Sequence, residues 1–233
     1  MTKHLFFDLD RTLWDFERNS EATLLEIYSE FKLDERIFSA HQFVREYKRI
    51  NAKYWDDYRL GLTTKEKLRE GRFKDTLSLF GFSKEDIDKK GLLGEYYIQN
   101  SPKGKILFPN THEALSELKN RNYALHIITN GFTEAQEVKL KSNQLDQYFD
   151  IILCSDTFGK NKPHPSIFKH ALKQAKATEK ESVMIGDDLK ADILGAKNVG
   201  MQAILFDPEM KQKPKKGFDI ITDLAQLTSK AFD

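Results

Sequence analysis

The stretch Leu5–Trp14, LFFDLDRTLW, sets Asp8 and Asp10 directly behind an apolar run near the start of the chain. Leu5, Phe6 and Phe7 form a short continuous apolar segment, the pattern of a strand covered on both faces in a parallel sheet. Aspartate is a poor strand residue. Two of them at a strand's carboxyl end fall where open α/β sheets take their ligands, in the crevice beyond the strand ends.

Working outward, short apolar runs alternate with helical periodicity from about residue 104 onward, which is the βα signature. Strands are predicted at Ala124–Ile128, Ile151–Cys154, Val183–Ile185 and Ala203–Phe206, with a weaker one at Asp219–Ile221. Residues 17 to 101 read differently. Phe43, Tyr47, Ile50, Tyr54 and Tyr58 recur at helical spacing, as do Leu24, Tyr28 and Phe31, and Pro102, Lys103 and Gly104 mark a return to the sheet. The expected fold is α/β, a doubly wound, Rossmann-like parallel sheet built from residues 1–15 and 104–233, with a helical domain, 16–103, inserted after the first strand. An insertion at that point is expected to act as a lid over Asp8 and Asp10. Its aromatics, Trp55 among them, fit either a bundle core or a surface on which a substrate ring stacks, and helical spacing favours the core.

Composition narrows the function classes. The 233 residues carry 37 Lys plus Arg against 36 Asp plus Glu, a formal net charge of +1, so no global field argues for a nucleic-acid polymer or an anionic membrane. The single Cys154 excludes an intramolecular disulfide and, behind Ile151, Ile152 and Leu153, reads as a buried structural thiol. His4, Asp8 and Asp10 interrupt any signal-peptide core, and no apolar run approaches the ~18 residues of a membrane span. The expectation is a cytoplasmic protein, monomer or homodimer, acting on a small molecule.

Four strand ends carry polar chemistry. In DLDRT, a turn directly after Asp8 can aim Asp8 and Asp10 into one cleft, with Thr12 beside them. In ITNG, Thr129 and Asn130 precede Gly131 at the mouth of a helix, which suits a phosphate oxygen but equally suits an ordinary helix cap. In GKNKPHPSIF, Lys162 stands before Pro163, although a lone lysine is by default a surface residue. In VMIGDDLKAD, Gly186 ends a strand and Asp187, Asp188 and Asp192 follow; capping explains one of these acids comfortably, but not all three. Together they make an inventory for a phosphate and a hard cation. Carboxylates suit Mg²⁺, which prefers oxygen ligands and commonly bridges carboxylate to phosphate, while lysine and backbone amides neutralise phosphate oxygens. A carboxylate that attacks phosphorus gives an aspartyl phosphate.

In this order, DLDRT, TN, KP and GDDLKAD resemble the four motifs of the haloacid dehalogenase (HAD) superfamily, and the helical insertion resembles its C1-type cap. The resemblance implies Asp8 as nucleophile and Asp10 as general acid and base, protonating the leaving oxygen and then activating water. It implies Mg²⁺ held by the Asp8 carboxylate, the Asp10 backbone carbonyl and Asp187. Thr129, the Asn130 backbone amide and Lys162 would hold the transferring phosphoryl group, and Thr12 and Asp192 would support the site. Asp188 either shares that support or faces solvent.

Within the superfamily, the second aspartate marks the phosphatase branch, since the metal-independent dehalogenases lack it; phosphomutases retain both. The stretches LWDFERNSEATL and KYWDDYRLGLTTKEKLREGRF further resemble the YjjG-type noncanonical pyrimidine nucleotidase subfamily. That implies pyrimidine nucleoside 5′-monophosphates as substrates, with acylneuraminate or other sugar phosphates handled by close relatives. Trp14, Phe16, Asn19, Trp55 and Arg59 are the candidate substrate contacts, and His164 is given no catalytic part. A phospho-acceptor switch also combines acids, Thr and Lys on a doubly wound sheet, but such domains are about half this length and carry no helical insertion.

Overall fold

The structure, a computed structural model, describes residues 3–89, 91–212 and 217–229. The chain divides into two compact units, Met1–Phe16 with Lys105–Asp233, and Glu17–Gly104. In chain order, strand β1 (His4–Phe7) is followed by helices α1 (Phe16–Glu30), α2 (Ala40–Arg59), α3 (Lys65–Leu79), α4 (Lys84–Lys89), α5 (Leu92–Asn100) and α6 (Thr111–Asn120). Then come β2 (Ala124–Thr129), α7 (Thr133–Ser142), β3 (Ile151–Cys154), α8 (Ser155–Phe158), α9 (Pro165–Ala175) and β4 (Ser182–Gly186). A wide helical segment, Leu189–Leu194, precedes β5 (Gln202–Phe206) and β6 (Asp219–Ile221).

Among the described residues the six strands form one sheet in the order β3-β2-β1-β4-β5-β6, with every neighbouring pair parallel. Each predicted strand is present, with bounds within one residue of the expected ones. The sheet is apolar on both faces because both are covered. Leu5 and Phe7 of β1 join Leu125, Ile127, Val183 and Ile185 under Ala114, Leu115 and Leu118 of α6. Phe6, between them in sequence, faces the other way and joins Ile128 and Met184 under Ile167, Phe168 and Ala171 of α9. Strand order runs outward from β1 to β3 on one side and from β4 to β6 on the other, so the switch point lies beside β1. Phe7 pairs with both Ile127 and Ile185, which brings the carboxyl ends of β1, β2 and β4 level at that point.

The helical unit has its own core. Leu24 and Ile27 of α1, Phe43 and Tyr47 of α2, Phe73 and Leu77 of α3, and Leu93 and Tyr97 of α5 are buried together. Tyr47 is its centre, with ring centroids 4.6 Å from Phe73 and 5.5 Å from Tyr97. Tyr54 and Trp55, further along α2, are only half-buried. Ser39 caps α2 and Thr64 caps α3, each accepting a backbone N–H at 3.3 Å. No helix among the described residues is long and apolar enough to cross a membrane.

Candidate active site

The backbone after β1 decides where the two aspartates go. Asp8 N donates to Ile185 O at 2.9 Å, extending the β1–β4 pairing one residue past the strand and burying Asp8 at its tip. The chain then folds back. The amides of Thr12, Leu13 and Trp14 all donate to Leu9 O at 3.0–3.3 Å, and Arg11 takes a left-handed φ of 64° to make the turn. The turn separates Asp8, at the strand tip, from Asp10, so the two do not stand as alternate residues of one strand.

Asp8 enters a buried charge cluster. Lys162 Nζ lies 2.7 Å from Asp8 Oδ1 and 2.6 Å from Asp192 Oδ1, and donates to Ile128 O at 2.6 Å. An oxygen from each of Asp8, Asp187 and Asp192 falls within 4.8 Å of the other two. Burial pushes the Asp8 carboxyl up to about 7, against the pull of Lys162 and with the charges of Asp192 and Asp10 adding to the rise. Burial likewise raises Asp187, reinforced by Asp8 and Asp192, and raises Asp192 despite Lys162. For Lys162, burial opposes the charged form but Asp192 and Asp8 outweigh it, and its pKa rises.

One ammonium among three carboxylates leaves the cluster short of positive charge. Its donors are all hard oxygens. This residue set fits a Mg²⁺-type cation, which is bound through one or two carboxylates and keeps the rest of its shell for water or phosphate.

The neighbouring loops hold this cluster in place. Asn130 clips the backbone of Lys162 from both sides: its Oδ1 accepts from Lys162 N at 2.7 Å and its Nδ2 donates to Lys162 O at 3.0 Å. Sequence reasoning gave Asn130 only a backbone role and missed this side-chain clip. Asp188 neither joins the carboxylate cluster nor points idly to solvent. It caps the Leu189–Leu194 segment, accepting from the amides of Lys190 and Ala191 at 2.8 Å each, while its own N–H donates to Asp192 Oδ2 at 3.1 Å. Its contribution is to fix the turn that carries Asp187 and Asp192. Thr129 Oγ1 accepts from Gly131 N at 3.0 Å, and Thr12 is fully buried. His164 Nδ1 accepts from Ser166 N at 3.2 Å, a helix cap at the start of α9.

Asp10 meets residues that sequence reasoning did not select. Lys139 Nζ lies 2.5 Å from Asp10 Oδ1, and Gln136 Nε2 donates to Asp10 Oδ2 at 2.9 Å. The same Gln136 Nε2 is 2.9 Å from Thr129 Oγ1. Both residues sit on α7, where a polar side chain is by default solvated; the available signal was that both fall one helical turn apart in the helix that opens directly behind TNG.

The substrate candidates fare unevenly. Trp14 is fully buried in the sheet's core, with Lys139 Nζ 4.4 Å from its ring centroid, so its ring is packing surface. Phe16 is half-buried beneath the Arg11 guanidinium, 4.4 Å from its centroid. In the helical unit Asn19 is buried, and a Cβ built on Gly104 would come 2.2 Å from its Oδ1. Trp55 packs edge-on to Tyr58 at 5.8 Å, and the exposed Arg59 pairs with Asp56.

Comparisons with known proteins bear on the family and the fold. The chain is 30% identical over 212 residues, 91% of its length and 88% of the other's, to the pyrimidine 5'-nucleotidase YjjG of Escherichia coli. It is 31% identical to a glyceraldehyde 3-phosphate phosphatase of Methanothermobacter thermautotrophicus, across 97% of this chain and 98% of that one. Among solved structures it is similar to the HAD-hydrolase YfnB of Bacillus subtilis bound to magnesium, with a TM-score of 0.85 and 26% identity over 98% of each chain. With the four strand-end motifs at one edge of a doubly wound sheet, and the sequence profile of the family matching residues 5–206, the chain belongs to the haloacid dehalogenase-like hydrolase family.

Proposed function

We propose that this hydrolase is a Mg²⁺-dependent phosphomonoesterase that works through an aspartyl phosphate on Asp8 and acts on pyrimidine nucleoside 5′-monophosphates. Its broader assignment, a phosphatase of the haloacid dehalogenase-like family, rests on the relatives named above. The observation that carries the mechanism is the buried Asp8 carboxylate at the tip of β1, next to Lys162 and within reach of Asp187.

Mg²⁺ bound by the Asp8 carboxylate, the Asp10 backbone carbonyl and Asp187 would offset charge on the phosphoryl oxygens. An Asp8 oxygen attacks phosphorus, the ester P–O bond breaks, and Asp10 gives its proton to the departing alkoxide. Water, deprotonated by Asp10, then attacks the phosphorus of the acyl phosphate; inorganic phosphate leaves and the Asp8 carboxylate is restored. Lys162, Thr129 and the Asn130 amide hold the phosphoryl oxygens, with Asn130 also fixing the Lys162 backbone. The carboxylate–phosphate exchange needs a strong general acid because an alkoxide is a poor leaving group, and that step is worth roughly 10²–10⁴-fold.

The nucleotide preference is supported by the YjjG relative, and a sugar-phosphate preference by the glyceraldehyde 3-phosphate phosphatase at similar identity. The deciding experiment is phosphate release from a panel of nucleoside 5′-monophosphates and sugar phosphates, with Mg²⁺ or with chelator. Turnover concentrated on UMP, dUMP and dTMP, and lost with chelator, is expected. Turnover confined to sugar phosphates overturns the nucleotide reading, and interconversion of sugar phosphates without phosphate release points to a mutase. Asp8→Asn should fold normally and lose all turnover; near-normal activity removes Asp8 as nucleophile.

A further inference from the structure

We infer that Lys139 and Gln136 of α7 are positioning residues for proton transfer, locking the Asp10 carboxylate into one orientation and tying it to Thr129. The inference rests on the phosphatase reading of Asp10 and goes beyond the family motifs, none of which contains either residue.

Each carboxylate oxygen of Asp10 has its own donor, Lys139 Nζ on Oδ1 and Gln136 Nε2 on Oδ2. Both donors come from within the fold: Gln136 is 0% exposed and Lys139 6%. Burying an ammonium is costly unless it is paired. Lys139 has the Asp10 carboxylate on one side and, on the other, the Trp14 ring at 4.4 Å and the Phe16 ring at 5.9 Å, which suits a cation on aromatic faces. This gives fully buried Trp14 a role in the site that does not require it to touch substrate.

Gln136 is more telling. Its Nε2 bridges Asp10 and Thr129, while its Oε1 is buried with no partner among the described residues. An unsatisfied buried carbonyl is destabilising, and reversing the amide would set that oxygen against the Asp10 carboxylate. A residue present only to fill space would avoid this cost. Its place also depends on Gly131, where a Cβ would come 1.7 Å from Gln136 Nε2, so the glycine of TNG makes room for the bridge. One helix thus fixes the group that moves the proton and a group that holds the phosphoryl oxygens, and small errors in such placement are expensive in rate.

The test compares kcat/KM, which is set by the steps up to alcohol departure, on an alkyl phosphate and on p-nitrophenyl phosphate. The alkoxide needs a proton and the nitrophenolate scarcely does. Lys139→Met should lower kcat/KM on the alkyl ester roughly 10- to 100-fold more than on p-nitrophenyl phosphate, a fraction of a full general-acid effect. Lys139→Arg should restore most of the loss, and Lys139→Met should add little in an Asp10→Asn background, since the two act through one group. Equal losses on both esters, or undiminished effect of Lys139→Met in the Asp10→Asn background, overturn the inference and leave Lys139 a packing residue. If Lys139→Met does not fold, Gln136→Met carries the same comparison through the other oxygen. Failure of the wild-type enzyme to hydrolyse either ester overturns the phosphatase reading and this inference together, whereas wild-type turnover with uniform variant losses overturns this inference alone.

Discussion

At the scale of single residues, the site is a charge imbalance held in place by packing. Asp8 and Asp192 share Lys162, Asp187 stands within 4.8 Å of both, and burial drives all three carboxyls upward. Removing one acid should therefore relieve the metal-free protein. Asp187→Asn is expected to raise the melting temperature in chelator while erasing the further stabilisation that Mg²⁺ gives the wild type by binding the folded state. A variant that melts lower in chelator would show that Asp187 is not repelled, and one that still responds to Mg²⁺ like the wild type would show that it is not a ligand. Lys162→Met should do the reverse: stripping a buried charge cluster of its cation costs about 3–5 kcal/mol, read as a shift in urea midpoint in chelator. Unchanged stability would mean that solvent, rather than Lys162, balances these carboxylates. The polar residues of these strand ends were legible in the sequence because each breaks an apolar run where a core strand has no use for it. Capping by one of the three late acids was also legible, since it is local, and Asp188 does it; Asn130's clip and the Gln136–Lys139 pair were not, since each depends on which segment lies opposite.

At the scale of elements, the six strands were readable because a sheet covered on both faces needs nearly continuous apolar runs; Leu5–Phe7 and Val183–Ile185 supply them outright, and Ala124–Ile128 does so with His126 as its one polar residue. The turn after β4 shows what such runs do not reveal. Gly186 ends that strand with Asp192 folded directly over it: a Cβ there would lie 2.2 Å from Asp192 Oδ2 and 2.7 Å from its Cβ. Glycine is thus required by the close approach of a carboxylate rather than by backbone conformation. Gly186→Ala should displace Asp192 from Lys162, weakening Mg²⁺ binding and lowering kcat by at least about tenfold, the scale at which losing a support of a metal site is usually felt. Mg²⁺ titration and turnover on one preparation test it, and wild-type values for both would mean that the turn relaxes without moving the acid. The helical unit was read as aromatic bundle core, and Phe43 and Tyr47 are buried there; the half-buried Tyr54 spends its hydroxyl on Asp75 at 2.8 Å.

At the scale of the whole molecule, each unit closes its own core, so a stability change can be traced to one of them. One pH-dependent contribution belongs to the sheet. His126 of β2 is 2% exposed, its ring 4.6 Å from that of Phe6, its Nε2 3.1 Å from His4 Nδ1 and its Nδ1 without a partner among the described residues. Burial, with His4 adding to it, pulls its pKa from 6.5 down to about 4; Asp150 opposes weakly and pairs instead with Lys119 at 3.2 Å. Since the folded state takes up this proton later than the unfolded chain, the unfolded state binds more protons between about pH 4 and 6.5, and stability rises with pH through that window. The contribution is present above pH 6.5 and is lost as the pH falls toward 4. Between pH 7 and 4.5 it amounts to about 2 kcal/mol, at 1.36 kcal/mol per pKa unit. His126→Phe, which keeps an aromatic ring beside Phe6 but cannot take up a proton, should lose about 2 kcal/mol less than the wild type over that interval, measured by urea unfolding at the two pH values. Parallel pH dependence in wild type and variant would mean that the buried histidine titrates in the fold as it does in the unfolded chain.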